Sequence, residues 1–385
     1  MRTTPMTNER LTQPGQAEER PWSVRIGFTL LGIFIFLGLS ACSEGPAMLA
    51  ACDEDDANSI CGLQNPEDMV LLPGHAWAVV SEMMSDTEAE GLRFGRLQWL
   101  DVGSDVVTPF LQDGLEVALD NSLPSLGDAA CSTPPDPARF GGHGVDARRL
   151  ADGSTLLAAI NHGEREAIEL FSIGVSGETP MATWRGCVML PRERSHNDVA
   201  IAANGDLYVS VFSANPAVFS FDLLSDFVSL FTGGNTGMVY HWSASKGISP
   251  VEGSEGSAPN GVALAFDDTA LLFAEWGQKK VVRLDLSGQE KERREVQLPM
   301  APDNFAWRSD GTLIVAAQEG DAFSILGCFD TPPTTCDIPY GVYAIDPNSM
   351  MMKELLTGVG AISVAMPVGD RIYVGSFAGD SIGIR

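Results

Sequence analysis

Short apolar segments, each preceded by a polar turn, recur six times along the chain. In each copy the turn is built from Gly, Asp, Asn or Pro, and the residues after it are mostly apolar, as in β-strands bounded by tight turns. The copies are 73–80, 152–158, 204–209, 267–273, 310–315 and 369–374. Such regular repetition indicates one structural unit used six times.

Further strand-like segments follow within the units. Residues 95–101, 281–286 and 342–346 read as strands that end in or near Asp, and 218–222 is similar with weaker alternation. No helix longer than three turns is expected. Units of roughly 40–80 residues with several short strands are typical of propeller blades. We therefore predict an all-β fold, a six-bladed β-propeller with a central channel, over 65–385. We take the strand after each turn as the first of its blade, lining the channel.

A polar residue stands several positions ahead of every turn. If the blades surround a common axis, these positions converge at one mouth of the channel. They are Glu67-Asp68, His143-Gly144, Asn197-Asp198, Asn260-Gly261, Asp303-Asn304 and Ser363. Taken alone, each pair is explained equally well by an Asx turn, a turn glycine or a solvated chain end. The common register is what favours a shared site.

If five of these residues converge, their side-chain oxygens together match the ligand preference of calcium. These residues are Glu67, Asn197, Asn260, Asp303 and Asn304. Calcium takes about six to eight oxygen ligands, whereas magnesium keeps more water. Zinc and copper favour His and Cys. The pattern therefore predicts a calcium ion at the channel mouth.

His143 and His162 are the candidate general bases. In the second copy, His143 occupies the position that a potential metal ligand holds in other copies. His162 ends the strand that follows the turn of the same copy. A neutral imidazole near a metal can accept a proton from water because its unperturbed pKa is about 6.5. A second His would relay the proton or set the tautomer. Either histidine alone also fits a hydrogen-bonded core or turn residue, and His75, His196 and His241 are interpreted as structural or rim residues.

The N-terminus is predicted to be a targeting segment. Basic residues precede an apolar run over 26–39, and Leu39-Ser40-Ala41-Cys42 resembles the bacterial lipobox. We predict a lipoprotein-type signal over 1–41, lipidation of Cys42, and an acidic tether over 42–64 that holds the domain off the membrane. The protein would be an exported bacterial lipoprotein anchored in the cell envelope. An uncleaved anchor stays open, although the run is shorter than the about 20 residues of a full span.

The remaining composition agrees with export. Six cysteines other than Cys42 allow up to three disulfides in 15 connectivities. The best single pair is Cys328–Cys336, which closes a loop rich in Pro and Thr. The formal charge of −27 argues against nucleic-acid binding and against electrostatic docking on anionic lipid, since both need a basic face.

From about Asn65 to the C-terminus the chain resembles the paraoxonase/arylesterase family, within the calcium-dependent propellers that include gluconolactonases. The resemblance is carried by Pro66-Glu67-Asp68, His143-Gly144-Val145, Asn161-His162, Glu169-Leu170-Phe171, Asn197-Asp198, Asn260-Gly261-Val262, Ala274-Glu275, Asp303-Asn304 and 372–376. It implies two calcium ions, of which the catalytic one is held by the five oxygen-bearing residues above. It implies a structural calcium on Asp68, Asp198 and the carbonyl of Val145.

The resemblance also implies that His143 and His162 activate water, and that the substrate is a small-molecule ester or lactone. Paraoxonases join their first and last strands by a disulfide. No cysteine lies near the C-terminus here, so we expect Cys61 to pair elsewhere.

The leading hypothesis is a calcium-dependent hydrolase of the arylesterase or lactonase type, in which a metal-polarised carbonyl is attacked by His-activated water. Glu67 or Asp303 is the alternative base. The rival hypotheses are a non-catalytic surface propeller stabilised by calcium and a gluconolactonase-like sugar lactonase. Specificity would come from loops at 212–258 and 320–340, with Trp242, Trp276 and Phe329 as candidates for an apolar wall.

Overall fold

The structure is a computed structural model, and it describes most of the chain from residue 47 onward. The described residues are 47–74, 76–83, 95–110, 126–176, 179–216, 218, 220–287, 291–320, 325, 327–328 and 334–385. The predicted signal segment 1–41, Cys42, His75 and Phe329 lie outside them. Within these ranges, no helix is both long and apolar enough to cross a membrane.

The described residues form six antiparallel sheets of four strands each. Blade 1 holds β2 (Pro66–Leu71), β3 (Trp77–Glu82), β4 (Arg96–Asp101) and β5 (Val106–Pro109). Blade 2 holds β6 (Gly142–Arg149), β7 (Thr155–Asn161), β8 (Ala167–Ser176) and β9 (Thr179–Met189). Blade 3 holds β10 (Arg194–Ile201), β11 (Leu207–Ala214), β12 (Met238–Ser243) and β13 (Gly247–Pro250). Blade 4 holds β14 (Pro259–Leu264), β15 (Ala270–Glu275), β16 (Lys280–Asp285) and β17 (Arg293–Gln297). Blade 5 holds β18 (Ala301–Trp307), β19 (Leu313–Gln318), β20 (Pro339–Ile345) and β21 (Met352–Val359). Blade 6 holds β22 (Ile362–Val368), β23 (Arg371–Ser376), β24 (Ser381–Ile384) and β1 (Ser59–Cys61).

The first-named strands of the blades contact one another in order, and β22 returns to β2, so the blades close into a ring. Six apolar clusters fill the spaces between neighbouring blades. The predicted six-bladed β-propeller is confirmed.

The strand after each turn is the second of its blade, not the first as predicted. The turn at 152–154, for example, joins β6 to β7. All seven residues of β7 are buried, whereas β6 is only partly buried. The second strand of a blade is covered by a neighbouring blade on each face. Its apolar run is therefore more continuous than that of the innermost strand. The polar residue ahead of each turn therefore lies on the channel-lining strand itself.

The domain begins earlier than the predicted boundary at residue 65. Strand β1 lies inside the predicted tether, yet it pairs with β24 and completes blade 6. Farther upstream, the carbonyl of Ala47 accepts a hydrogen bond of 2.8 Å from the amide of Asp337. Without β1, the edge of β24 would expose unpaired backbone groups. Composition does not reveal such pairing, because it depends on the backbone.

Three disulfides join the six cysteines that follow Cys42. They are Cys52–Cys61, Cys131–Cys187 and Cys328–Cys336. The third is the pair that the sequence favours, and Cys61 bonds to a partner near it rather than to the end of the chain. Three disulfides are typical of a protein that folds outside the reducing cytosol.

Residues 221 and 222, which the sequence analysis places in a strand, begin a helix. This helix, α1, spans Phe221–Thr232. Ser220 Oγ caps its first turn by accepting the amide of Leu223 at 3.1 Å. Gly233 ends it with a φ of 73°, a left-handed conformation that glycine adopts without steric cost. The helix falls in the segment 212–258, which was expected to shape the site.

Candidate active site

A β-bulge interrupts the innermost strand of every blade, and it falls on the residue predicted from the repeat. The pairing register shifts across Glu67, across His143-Gly144, across Asn197-Asp198, across Asn260-Gly261, across Asp303-Asn304 and across Ser363. A bulge breaks the ladder locally and redirects a side chain. Six bulges at one level of the ring turn these residues toward the axis.

The five predicted calcium ligands are brought together at one mouth of the channel. Asn304 Nδ2 donates to Glu67 Oε1 at 2.7 Å, although the two residues are 237 positions apart. Glu67, Asn197, Asn260 and Asp303 line the same cavity. Convergence of residues from four blades is what the propeller fold predicts. The sixth position, Ser363, donates from Oγ to the carbonyl of Glu67 at 2.6 Å and holds that bulge.

Each of the five side chains has one buried oxygen without a hydrogen-bond partner. These atoms are Glu67 Oε2, Asn197 Oδ1, Asn260 Oδ1, Asp303 Oδ1 and Asn304 Oδ1. A buried polar atom left unpaired costs about 1–3 kcal/mol, so five in one place call for a ligand. Carboxylate and carboxamide oxygens are the donors that calcium prefers. The residues present therefore fit a calcium ion.

The two carboxylates of this set are strongly perturbed. Burial, followed by the nearby charges of Asp303 and Asp68, raises the pKa of Glu67 well above its usual value. Burial likewise raises the pKa of Asp303 to about 7, although the hydrogen bond from Gln318 opposes this rise. A bound cation would offset this crowding of negative charge. Among the described residues no three His, Cys, Asp or Glu side chains form a metal cluster; three of the five residues gathered here are asparagines.

Asp68 and Asp198 occupy a different environment. Asp68 accepts the amides of Met69 at 2.8 Å and Val145 at 2.7 Å. Asp198 similarly accepts two backbone amides, one from its own strand and one from Val262 of the next blade. Each carboxylate thus ties one innermost strand to the next, and its oxygens already have partners. The structural calcium on Asp68, Asp198 and Val145 stays a prediction.

Glycines allow the innermost strands to approach closely at the bulges. A Cβ on Gly144 would come within 2.6 Å of the carbonyl oxygen of Asn197. A Cβ on Gly261 would lie 2.9 Å from the Cα of Asn304. This contact explains why glycine follows His143 and Asn260: the smallest residue lets the neighbouring ligand strand reach the axis.

The two predicted histidines form a hydrogen-bonded chain. His143 Nδ1 lies 2.9 Å from His162 Nε2, and His162 Nδ1 lies 2.9 Å from Glu166 Oε1. His143 Nε2, on the other side of the ring, is 3.8 Å from Glu67 Oε1. Burial, followed by the neighbouring His162, lowers the pKa of His143 to about 3. The ring is therefore neutral near pH 7.

The hydrogen-bonded histidine chain has two further members, Glu166 and His196, that were not predicted from the sequence. Glu166 accepts hydrogen bonds from both His162 and His196. The Nδ1 atom of His196 lies 2.9 Å from Glu166 Oε1. His196 is fully buried and was interpreted as a structural or rim residue. Burial raises the pKa of Glu166, but the bonds from His162 and His196 outweigh it and bring the pKa to about 2. The available signals were slight: Glu166 follows His162 by four residues, and His196 precedes Asn197.

An apolar cavity of about 410 Å³ opens above the ligand residues. Its wall includes Phe212, Leu223, Phe227, Leu230, Trp276, Ile325 and Phe377. Trp276 is therefore one of the predicted wall residues, whereas Trp242 packs in the core between blades 2 and 3. Helix α1 supplies a large part of the wall.

Comparisons with known proteins return solved structures of low sequence identity. No protein-family model matches the chain, and no curated protein matches it. A gluconolactonase from Xanthomonas campestris is 14% identical over 84% of this chain and 97% of that chain, with a TM-score of 0.45. The calcium-binding protein regucalcin from Agrobacterium tumefaciens is 12% identical over 83% and 85%, with a TM-score of 0.44. A virginiamycin B lyase from Staphylococcus aureus is 12% identical over 84% and 96%, also with a TM-score of 0.44.

These neighbours differ in the activities their names state, and at such identities they carry no argument about this chain's chemistry. The assignment to the paraoxonases stays a prediction.

Proposed function

We propose that this protein is a calcium-dependent hydrolase of carboxylic esters or lactones. The observation that carries the proposal is the placement of five unpaired, buried oxygens beside a neutral histidine, at the floor of an apolar cavity. Glu67, Asn197, Asn260, Asp303 and Asn304 would hold the ion. When bound, calcium supplies a positive charge that polarises the substrate carbonyl and stabilises the oxyanion.

Glu166 determines which nitrogen of each histidine carries a proton. Because its pKa is about 2, Glu166 is ionised and accepts a hydrogen bond from Nδ1 of His162. His162 Nε2 is then unprotonated and accepts from Nδ1 of His143. This leaves His143 Nε2 with a free lone pair facing the cavity. His143 can thus take a proton from a water molecule there, and the positive charge is shared toward Glu166.

A base of low pKa is effective only if its protonated form is stabilised during the reaction. The buried Glu166 carboxylate supplies that stabilisation for His143 through His162. Glu67 and Asp303 remain alternative bases in the proposal, since both lie at the same cavity. Replacement of His143 by Gln separates the two assignments, because the carboxylates are then untouched.

The cavity wall favours apolar substrates over sugar lactones. Aromatic and aliphatic side chains dominate it, among them Phe212, Phe227 and Trp276. A polyhydroxylated sugar lactone would leave its hydroxyl groups without partners against such a wall, which is costly. An aryl ester or alkyl-substituted lactone would bury its apolar part there.

The test is hydrolysis of phenyl acetate and δ-valerolactone by the purified protein with calcium and then after EGTA. We expect hydrolysis that EGTA abolishes and calcium restores. Activity that survives chelation would remove the metal from the proposal. Calcium-dependent melting without hydrolysis of either compound would instead support the non-catalytic surface propeller.

A further inference from the structure

The channel has a second cavity toward the mouth opposite the calcium ligand residues. Each innermost strand begins near its bulge and runs away from those residues to the following turn. Residues beyond the bulges of all six blades line a cavity of about 250 Å³. Ligand pockets in proteins typically measure about 300–1,000 Å³, so this cavity suits one small molecule.

The wall of this second cavity is mostly apolar, and an aromatic pair lies at its rim. The rings of Phe266 in blade 4 and Trp307 in blade 5 have centroids 4.8 Å apart. Phe266 is 60% exposed although it lines the cavity. Leu71 and Pro73 of blade 1 line the same cavity. The aromatic pair thus offers a flat apolar surface on which a ligand ring can pack.

Two consecutive arginines at the end of β6 have different surroundings at this rim. Arg148 donates to the carbonyl of Ile201 at 2.8 Å and to the carboxylate of Asp268. Arg149 also lines the cavity, but it is exposed and makes no hydrogen bond or ion pair within the described ranges. Its Nη2 atom lies beside the turn of blade 1, 3.7 Å from where a Cβ on Gly74 would be. Arg149 is therefore a cation available to an anionic ligand.

Acidic residues deeper in the channel restrict where an anionic group can lie. Asp146 lines the cavity and accepts the amide of Ile201 at 2.7 Å. Asp198 lines it too and accepts the amide of Val262 at 2.7 Å. An ionised carboxylate only accepts hydrogen bonds and repels a second anion. The charged end of an anionic ligand therefore stays at the rim with Arg149.

We propose that the second cavity binds a small aromatic carboxylate. Arg149 would hold the carboxylate through two parallel hydrogen bonds, a geometry for which the guanidinium group is suited. Phe266 and Trp307 would pack on the aromatic ring, which fills the apolar mouth. The inference goes beyond the proposed hydrolase, since binding at this mouth uses neither the calcium ligand residues nor the histidine chain.

The test is calorimetric titration of the full-length protein with 2-naphthoate, in buffer with calcium and again with EGTA. Arg149→Met removes the cation and keeps an unbranched side chain, and Phe266→Ser removes the exposed ring. Arg192→Met is the matched control, since Arg192 is also exposed but lies before β10, at the end where the calcium ligand residues stand. Thermal melts of each variant check that it is folded.

We expect Arg149→Met and Phe266→Ser to weaken binding at least about tenfold, as loss of a hydrogen-bonded charge or of an aromatic contact should. Arg192→Met should bind 2-naphthoate as the wild-type protein does. The neutral analogue 2-naphthamide should bind the wild-type protein at least about tenfold more weakly than 2-naphthoate, because it lacks the charge that Arg149 recognises.

Three results would overturn the proposal. The first is no binding of 2-naphthoate to the wild-type protein at millimolar concentration. The second is equal affinity in the wild-type protein and Arg149→Met, and loss of that binding in EGTA would then assign it to calcium at the other mouth. The third is tighter binding of 2-naphthylmethylamine than of 2-naphthoate, because the acidic residues would then select a cation. No result depends on hydrolysis, so the proposed function can fail independently.

Discussion

The Glu166 carboxylate lies 2.9 Å from Nδ1 of His162, and this contact orients a histidine chain that ends at the calcium ligand residues. The two residues are four positions apart, at the end of β7 and just before β8. A carboxylate behind a histidine fixes its tautomer and stabilises its charged form. Glu166 is therefore a positioning residue that acts through His162.

Glu166→Gln should lower kcat for phenyl acetate roughly 10- to 100-fold with little change in KM, part of the about 10²–10⁴ that a positioned base contributes. Gln keeps the shape but loses the charge that stabilises a protonated His143. Calcium should still raise the melting temperature. Glu164→Gln, two residues away and outside the histidine chain, is the control. A variant with wild-type kcat would remove Glu166 from the mechanism.

Replacement of a ligand carboxylate should weaken the response to calcium. Asp303→Asn removes one of the two negative charges among the five proposed ligands, so the calcium concentration needed for half of the melting-temperature increase should rise at least about tenfold. Asp310→Asn changes an exposed turn residue of the same blade and should leave that concentration unchanged. Equal calcium responses in the two variants would mean that Asp303 is not a ligand.

The acid sensitivity of the fold should depend on Glu166. Its folded-state pKa of about 2 lies below the ordinary value of 4.5, so its ionised form stabilises the native state above about pH 4.5. That contribution, roughly 3 kcal/mol, is lost as the pH falls toward 2. Urea unfolding in calcium-free buffer should show a steeper loss of stability from pH 5 to pH 2.5 in the wild-type protein than in Glu166→Gln. Parallel curves would contradict the lowered pKa.

Close approach of the innermost strands should make Gly144 intolerant of a side chain. Gly144→Ala should lower the free energy of unfolding by at least about 1–3 kcal/mol, since its Cβ would press on the backbone of blade 3. The matched control is Gly174→Ala, because a Cβ on Gly174 meets no atom within 4 Å. Chemical denaturation of both variants measures the difference. Equal stability would mean that the strands can separate at the bulge without cost.

Much of the site was predictable because its signal is repeated. A polar residue stands about six to nine positions ahead of the turn in all six copies, so Glu67, Asn197, Asn260 and Asp303 could be grouped from the sequence. His196 and Glu166 lack such a signal. They meet because β10 lies beside β6 and β7, and neither residue stands out from its neighbours in sequence.

The sequence by itself determined the number of blades, the level at which polar residues interrupt the innermost strands, and the oxygen-rich chemistry of that level. Turns and apolar periodicity are local properties, and repetition makes them readable. Tertiary structure alone decided which strand of each hairpin faces the channel, how β1 closes blade 6, and how Glu166 joins two histidines from different blades. Such contacts bring together residues dozens to hundreds of positions apart, and only the packing of neighbouring blades selects them.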